Sequence, residues 1–459
     1  MKKLLLTTIV ALFAVAAASA QIKGQEMEQY RRSSLNMIMI EDPELDPSVA
    51  EIVKDAFINN PIPQKYNDHS ADADLRTVSV AAVEVTDQDR QEYSAASGRK
   101  VKKGGKGGGL GHALASLGGE LVGVPIGPTN TAYNEAKLDS MSSYVRYVAY
   151  KYVKDQNFAK KAVDKWFNAA SGKLDPTLII DRAYFNASEM EKIQAAEEND
   201  RDARSAIMDN GGHEIIGNTF VTVSRFRYLN AEQMANEILT KAALGAKWAP
   251  RDVADLTMST AEMAAEAAKL SIGEGYVIYT TTQLYRLVWN EEIFDKINAV
   301  SDDMDAYNAL DCFKLEYVGE ESAQSLVAKK KRTEEEAVRF ATSRALDKVL
   351  AKLEKNYEVF RTKTPLLSVS PEITAGIGTK ECVEKGDKYE ILEKQMKPNK
   401  KTGKTEITWK SLGTLKVKEV GNNMGEDNDD ENASSSAVTI FEGTVPAKVV
   451  AGTLIRQTK

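Results

Sequence analysis

Apolar residues recur at helical and at strand spacings in turn along the middle of the chain. Phe158, Ala162 and Trp166 repeat every four residues and predict a helix. Residues 219–228 and 276–289 are rich in β-branched and aromatic residues, which predicts two strands. Strands that alternate with helices predict an α+β body with a central sheet.

Capping residues mark where several helices begin. Ser188, Ser259 and Thr333 each precede a glutamate by three positions, the pattern of a capping box. Asp46, followed by a proline, predicts a fourth helix start. The helix that opens at Thr333 has the most regular apolar face, and we expect it to pack on the preceding sheet.

After Pro365 the pattern changes to short alternating stretches separated by glycine-rich turns. Five to six short strands between residues 366 and 459 predict a small β-barrel. The predicted fold class is therefore α+β and multi-domain, a helix-strand body with a central sheet plus a small C-terminal β-barrel-like module. The candidate strands are 373–375, 388–392, 405–409, 413–420, 437–441 and 452–456.

The first twenty residues read as a secretory signal peptide. A basic start is followed by an apolar run and by Ala18-Ser-Ala20, a small-x-small cleavage site. We therefore expect an exported protein, periplasmic or outer-membrane associated or extracellular. The predicted segments are 1–20 signal peptide, 21–93 N-terminal α/β segment, 94–130 glycine-rich flexible segment, 131–320 central α+β domain, 321–362 connecting helix and 363–459 barrel.

The charge balance limits the classes of partner. The chain has 60 Lys and Arg against 67 Asp and Glu, a net charge of −7. This mild acidity argues against nucleic acid as a partner and against a broadly basic membrane-binding surface. After the signal peptide the sequence has no apolar run as long as 18 residues, so no transmembrane span is predicted in the mature chain.

One basic, glycine-rich stretch is the candidate contact with an anionic surface. A phosphate-binding loop is excluded there because Lys106 is followed by Gly107 where Ser or Thr is required. Lipid head groups are one anionic surface it could meet, and a mobile surface loop is the alternative. The candidate contact residues are Arg99, Lys100, Lys102, Lys103 and Lys106.

Cys312 and Cys382 are the two cysteines of the chain. In an oxidising compartment they are a candidate disulfide, and the alternative is two unpaired buried thiols. The bridge would close a loop of about 70 residues and stabilise the fold by roughly 4 kcal/mol in the chain-entropy model.

No catalytic residue, metal ligand or cofactor is predicted. His69, His112 and His213 lie far apart and outside any metal-binding or nucleophile motif, so we expect ordinary surface or loop residues. The acidic run at 302–305 lacks the glycine turn and the terminal glutamate of a calcium loop. A pair of carboxylates keeps a hydrolase open as an alternative, and those beside strand-like segments are Asp175, Asp181 and Glu214.

The C-terminal module has a distinctive pattern of turn glycines and alternating apolar residues. The residues of this pattern are Gly378, Val383, Gly386, Asp387, Tyr389, Glu390, Ile391, Thr402, Gly403, 413–417 and Gly452. In these residues the module resembles the C-terminal domain of flagellar assembly protein T and related barrel modules of bacterial envelope proteins. This resemblance implies a non-catalytic binding or assembly role. The whole chain also resembles secreted envelope proteins of Bacteroidetes, a likeness that carries no activity with it.

The sequence thus predicts an exported, non-catalytic envelope protein with a scaffold, assembly or binding role. Its expected partners are other envelope proteins or envelope polymers. The alternatives are an exported carboxylate-dependent hydrolase and a surface ligand-binding protein. The last of these requires Tyr279, Tyr285 and Trp289, which share one face of a predicted strand, to be exposed to solvent.

Overall fold

The structure is a computed structural model. The predicted signal peptide, the basic residues between Arg99 and Lys106, the capping box at Ser188 and His112 lie outside the residues that it describes. The described residues are 33–41, 45–63, 65–98, 141, 143–185, 211–246, 251–273, 275–327, 332–398, 405–423 and 436–458.

A six-stranded mixed sheet forms the centre of the body, in the order β2-β1-β4-β5-β6, with β3 also paired to β1. Strand β1 runs parallel to β2, β3 and β4, whereas β4, β5 and β6 are antiparallel neighbours. One sheet therefore joins strands from both sides of the predicted glycine-rich segment. The strands are β1 Ser33–Glu41, β2 Tyr66–Asp68, β3 Thr77–Ser79, β4 Thr219–Leu229, β5 Tyr276–Leu287 and β6 Leu315–Val327.

Helices cover both faces of this sheet. In the described part of the chain, no helix is both long and apolar enough to cross a bilayer. The helices are α1 Pro47–Asn59, α2 Asp87–Ser97, α3 Ser143–Asp155, α4 Phe158–Trp166, α5 Thr177–Phe185, α6 His213–Gly217, α7 Ala231–Ala246, α8 Arg251–Ile272, α9 Glu291–Ala299, α10 Met304–Asn308 and α11 Glu334–Asn356.

The predicted helix starts at Asp46 and Thr333 are confirmed. The Asp46 side chain accepts a hydrogen bond from the backbone N–H of Ser48, and Thr333 forms a complete capping box with Glu336. The predicted start at Ser259 is wrong, because α8 already begins at Arg251. The neighbouring Thr260 hydroxyl donates to the carbonyl of Leu256 one turn earlier, so this segment is the interior of a helix.

Helix α11 is the main cover of one sheet face, as its apolar pattern predicts. Val338, Leu346 and Leu353 are buried against residues of β4 and β5 such as Phe226 and Ile278. On the opposite face, α3 packs over β1 and β4, and the α7–α8 pair packs over the start of β5. Because both faces are covered, β4 and β5 are buried along nearly their whole length.

The C-terminal module is a closed six-stranded barrel in the order β10-β11-β8-β7-β12-β9. The predicted strands at 405–409 and 413–420 are one strand, β10, because a bulge between Ser411 and Gly413 lets it bend without ending. Leu366, Ile391 and Ile455 are in its buried centre. The strands are β7 Thr364–Ser368, β8 Ile373–Ala375, β9 Lys388–Pro398, β10 Thr405–Glu419, β11 Thr439–Glu442 and β12 Leu454–Gln457.

Candidate functional site

A cleft of about 460 Å³, including the solvent at its mouth, opens where the body meets the barrel. We call it the junction cleft. The body supplies the first residue of β1 and the residues that precede β2 and β4. The link between α11 and β7 supplies the floor, and β12 supplies the barrel side. Its lining residues are Ser33, Lys65, Asn218, Glu358, Val359, Arg361, Thr362, Lys363 and Arg456.

Lys65 is held at the cleft by a partly buried ion pair. Its Nζ lies 2.8 Å from Oε1 of Glu354 near the end of α11, and the two side chains are 17% and 13% exposed. The Tyr66 hydroxyl donates to the same carboxylate. Burial is the largest single influence and lowers the pKa of Lys65, but the attraction of Glu354, Glu381 and Asp347 together outweighs it, so the pKa lies above its ordinary value. Lys65 is therefore a fixed cation.

Arg361 closes the C-terminal end of α11. Its guanidinium donates to the carbonyl oxygens of Glu354 at 3.1 Å and Lys355 at 2.9 Å. The last carbonyls of a helix have no intrahelical partner and carry the negative end of its dipole, so a cation is favourable there. This capping orients the link that follows, and with it the side chains of the cleft floor.

Arg456 connects the barrel to the link. Its Nη2 lies 2.6 Å from Oε1 of Glu390 on β9, and its Nη1 lies 3.5 Å from Oε1 of Glu358. Arg456 and Glu390 are only 20% and 19% exposed, whereas Glu358 is 69% exposed. The inner pair fixes the guanidinium, and the outer carboxylate is the one that an incoming anion would displace.

Lys363 lies over the ring of Trp409 on β10, with 4.6 Å between its Nζ and the ring centroid. A cation over an indole face is attracted by the ring quadrupole. Any movement of Lys363 changes the surroundings of this tryptophan, so Trp409 is a natural optical reporter for the cleft.

The charges favour an anionic group in the junction cleft. Four lining side chains are cationic, and Glu358 is the single carboxylate among the described lining residues. Glu354 and Glu390 pair with Lys65 and Arg456 from outside the lining, so the cations outnumber these three carboxylates by one. Those lining residues include no histidine or cysteine that could serve as a base or nucleophile. No group of three or more metal-ligating side chains occurs in the described part of the chain. The arrangement can bind and orient an anion.

The two described histidines have structural surroundings. His69 is buried, contrary to the expected surface position, and its Nε2 lies 2.8 Å from the carbonyl oxygen of Ala162. Burial lowers its pKa to about 3, so the ring is neutral. Nδ1 of His213 accepts a hydrogen bond from Nε1 of Trp289 at 3.0 Å. The structure does not bring the two together in one site.

The candidate disulfide between Cys312 and Cys382 is wrong, because both cysteines are free. Cys312 packs with the cluster around Trp166 at one end of the body sheet. Cys382 follows a short turn in the barrel, where Arg344 and Lys348 of α11 are its charged neighbours. The two thiols belong to separate packed regions. Burial raises the pKa of each above its ordinary value.

The other sequence candidates have local roles. The Asp303 side chain caps α10 by accepting from two backbone N–H groups, and Asp175 accepts from the backbone N–H of Thr177 at the start of α5. Tyr279 and Tyr285 are 8% and 1% exposed. They are packed in the body, so the exposure that a ligand-binding aromatic face requires is not met.

The sequence alone does not identify the residues that line the junction cleft. Lys65, Arg361 and Arg456 come from three distant parts of the chain and share no motif. The available signal was weak: Arg361 follows the predicted end of a helix, where a cation is favourable.

Compared with protein-family models and with curated proteins, the sequence matches none of either.

Proposed function

We propose that this chain is an exported, non-catalytic envelope protein that binds an anionic group of an envelope polymer or envelope protein in the junction cleft. The single observation that supports it most is the convergence of Lys65, Arg361, Lys363 and Arg456 on one cleft. Guanidinium and ammonium groups bind carboxylates and phosphates through charge-assisted hydrogen bonds.

The interactions behind the cleft support a binding role over a merely structural one. Glu354 and Glu390 hold Lys65 and Arg456 in place from behind, at 2.8 and 2.6 Å. Such support reduces the side-chain entropy lost when a ligand is bound. The exposed Glu358 competes only from the outer side, so exchange for a ligand anion costs little desolvation.

An assembly role agrees with the two-part architecture. The barrel is a separate packed unit that contacts the body through the link and through the middle and end of α11. A ligand at this junction touches both parts at once. Export to the envelope rests on the predicted signal peptide and on the resemblance of the barrel, and it is part of the proposal.

A titration followed by tryptophan fluorescence tests the binding site. Inorganic phosphate and D-glucuronate serve as phosphate and carboxylate probes. We expect saturable fluorescence changes, with Lys363→Gln weakening binding at least fivefold. Lys410→Gln is the matched control, because Lys410 is an exposed lysine next to Trp409 that does not line the cleft. Equal weakening by both variants, or no saturation with either probe, would overturn the proposal.

Fractionation of the native cells with in-cell cross-linking and mass spectrometry tests the compartment and the partner together. We expect the chain in the envelope fraction, with cross-links from Lys363 to an envelope component. Recovery only in the cytoplasmic fraction would contradict the export part of the proposal and leave the binding measurements standing.

A further inference from the structure

Helix α8 presents an apolar stripe to solvent on its outer face. Leu256, Met263 and Leu270 are 69%, 66% and 85% exposed. Residues seven apart on a helix lie within about 20° of each other, so the three side chains form one line about two turns apart. Thr260 and Ala267 fall between them at heptad spacing.

The stripe points away from the body. The buried residues of α8, including Ala261, Ala265 and Ala268, pack with α7 and with Val277 and Tyr279 of β5. They lie on the side of the helix opposite Met263. The outer face is therefore not required for the packing of the α7–α8 pair on the sheet, and its apolar residues are unusual for a helix side that faces water.

An acidic row runs along one flank of the stripe. Asp255 and Glu262 each precede a stripe residue by one position, and Glu266 precedes Leu270 by four, so all three lie on the same flank. All three are exposed. Glu266 pairs with Lys269, which also lies 3.3 Å from Glu232 of α7, whereas Asp255 and Glu262 have no ion pair within the described residues.

The charges beside the stripe favour some partner helices over others. In a symmetric antiparallel pair of α8 helices, the two acidic rows would lie on the same side and repel each other. In a parallel pair, each row would face the flank with Thr257, Thr260 and Ala267, which offers no cation. A helix with an apolar stripe and a row of Lys or Arg would satisfy both the apolar and the acidic positions.

We propose that the outer face of α8 docks a basic amphipathic helix of a partner protein, through Leu256, Met263 and Leu270 and the acidic row of Asp255, Glu262 and Glu266. The docked helix would pack along α8 as in a coiled-coil pair, with apolar anchors at heptad spacing. This surface lies on α8 and does not depend on the junction cleft, so its test stands independently of the proposed ligand.

Two designed peptides serve as probes for the full chain. Both are fluorescein-labelled 21-residue helices with leucine at the heptad positions, and they differ only in carrying lysine or glutamate along one flank. We expect fluorescence anisotropy to give at least tenfold tighter binding for the lysine peptide. The difference should shrink in 0.5 M salt, because exposed charge pairs are screened. Equal binding of the two peptides, or no binding of the lysine peptide, would overturn the proposal.

Variants locate the binding surface. The double variant Asp255→Asn with Glu262→Gln should bind the lysine peptide at least fivefold more weakly than the wild type. Glu51→Gln with Glu372→Gln is the matched control, since it removes two exposed carboxylates elsewhere and should change binding less than twofold. Met263→Gln should weaken both peptides. Equal effects of the two charge-removing pairs would exclude α8 as the docking helix.

Two further outcomes would assign the face to another occupant and so overturn the proposal. Self-association in sedimentation velocity that Met263→Gln abolishes would point to a second copy of the chain. A maleimide reaction of Met263→Cys that becomes faster when Arg99, Lys100, Lys102, Lys103 and Lys106 are changed to glutamine would point to the chain's own basic segment. The expected result is a monomer in which Met263→Cys reacts at the same rate with and without those changes.

Discussion

Lys65 and Glu354 form an ion pair across the body, with 2.8 Å between Nζ and Oε1. Lys65 directly precedes β2, and Glu354 lies in the last turn of α11, where the next residue, Lys355, lies 3.9 Å from Asp387 of the barrel. Tyr66 donates its hydroxyl to the same carboxylate. One carboxylate thus fixes the cation of the cleft and the strand beside it.

Removing this carboxylate should destabilise the protein. Glu354→Gln leaves Lys65 charged and partly buried, because the amide replaces an ion with a dipole. We expect a loss of about 3 kcal/mol in the free energy of unfolding, measured by urea denaturation. Glu393→Gln is the control: it breaks the pair with Lys448, whose side chain is 52% exposed, and should cost less than about 1 kcal/mol. Similar losses in both variants would show that the partly buried pair contributes no more to the free energy of unfolding than the exposed pair.

The sequence predicts those elements of the body that have a capping residue or a regular apolar repeat of their own. Helix α11 was predictable because Thr333 caps it and its apolar residues repeat on one face. The membership of β1 in the central sheet was not, because its partners at Tyr66 and Thr219 are set by long-range pairing. The position of the junction cleft depends on that pairing and on the contact between the barrel and α11. No local sequence pattern therefore predicts it.

His69 should make stability depend on pH. Its pKa is lowered to about 3 in the folded protein by burial, from an ordinary value of 6.5. Because the pKa is lower in the folded state, unfolding between pH 6.5 and pH 3 takes up a proton. The contribution of the neutral His69 to the free energy of unfolding is therefore complete above pH 6.5 and is lost as the pH falls toward 3. From pH 7 to pH 5 we expect a loss of about 2 kcal/mol.

Urea denaturation at the two pH values measures this loss, and His69→Gln should remove it. In His213→Gln, which changes the other described histidine, the loss should persist. If the wild type and His69→Gln respond equally to pH, other groups cause the dependence and His69 is protonated in the folded state.

Gly378 marks a close backbone approach in the barrel. A Cβ added there would lie 2.1 Å from the carbonyl oxygen of Gly421, and neither backbone can move cheaply. Gly378→Ala should therefore destabilise the chain by about 2 kcal/mol in urea denaturation. Gly376→Ala is the matched control, because its Cβ would make an ordinary 3.7 Å contact with Leu367. A smaller loss at Gly378 than at Gly376 would contradict the close approach.

The barrel shows the same division between local and long-range information. Its glycine turns and alternating strands predicted the class of module before any pairing was known. The reason for the glycine at 378 required the structure, because Gly421 lies on a different strand connection. The bulge at Ser411 is likewise invisible in the strand pattern, and it is why one strand looked like two.

The two cysteines should behave as free, slowly reacting thiols. Cys312 and Cys382 pack in different regions, and burial raises the pKa of both thiols, so little of the reactive thiolate forms near neutral pH. Denatured without reductant and treated with iodoacetamide, the chain should gain two labels by mass spectrometry. The folded chain at pH 8 should label at least tenfold more slowly than the denatured one. If the two labels appear only after prior reduction, the cysteines are bridged and the packing of Cys382 beside α11 is wrong.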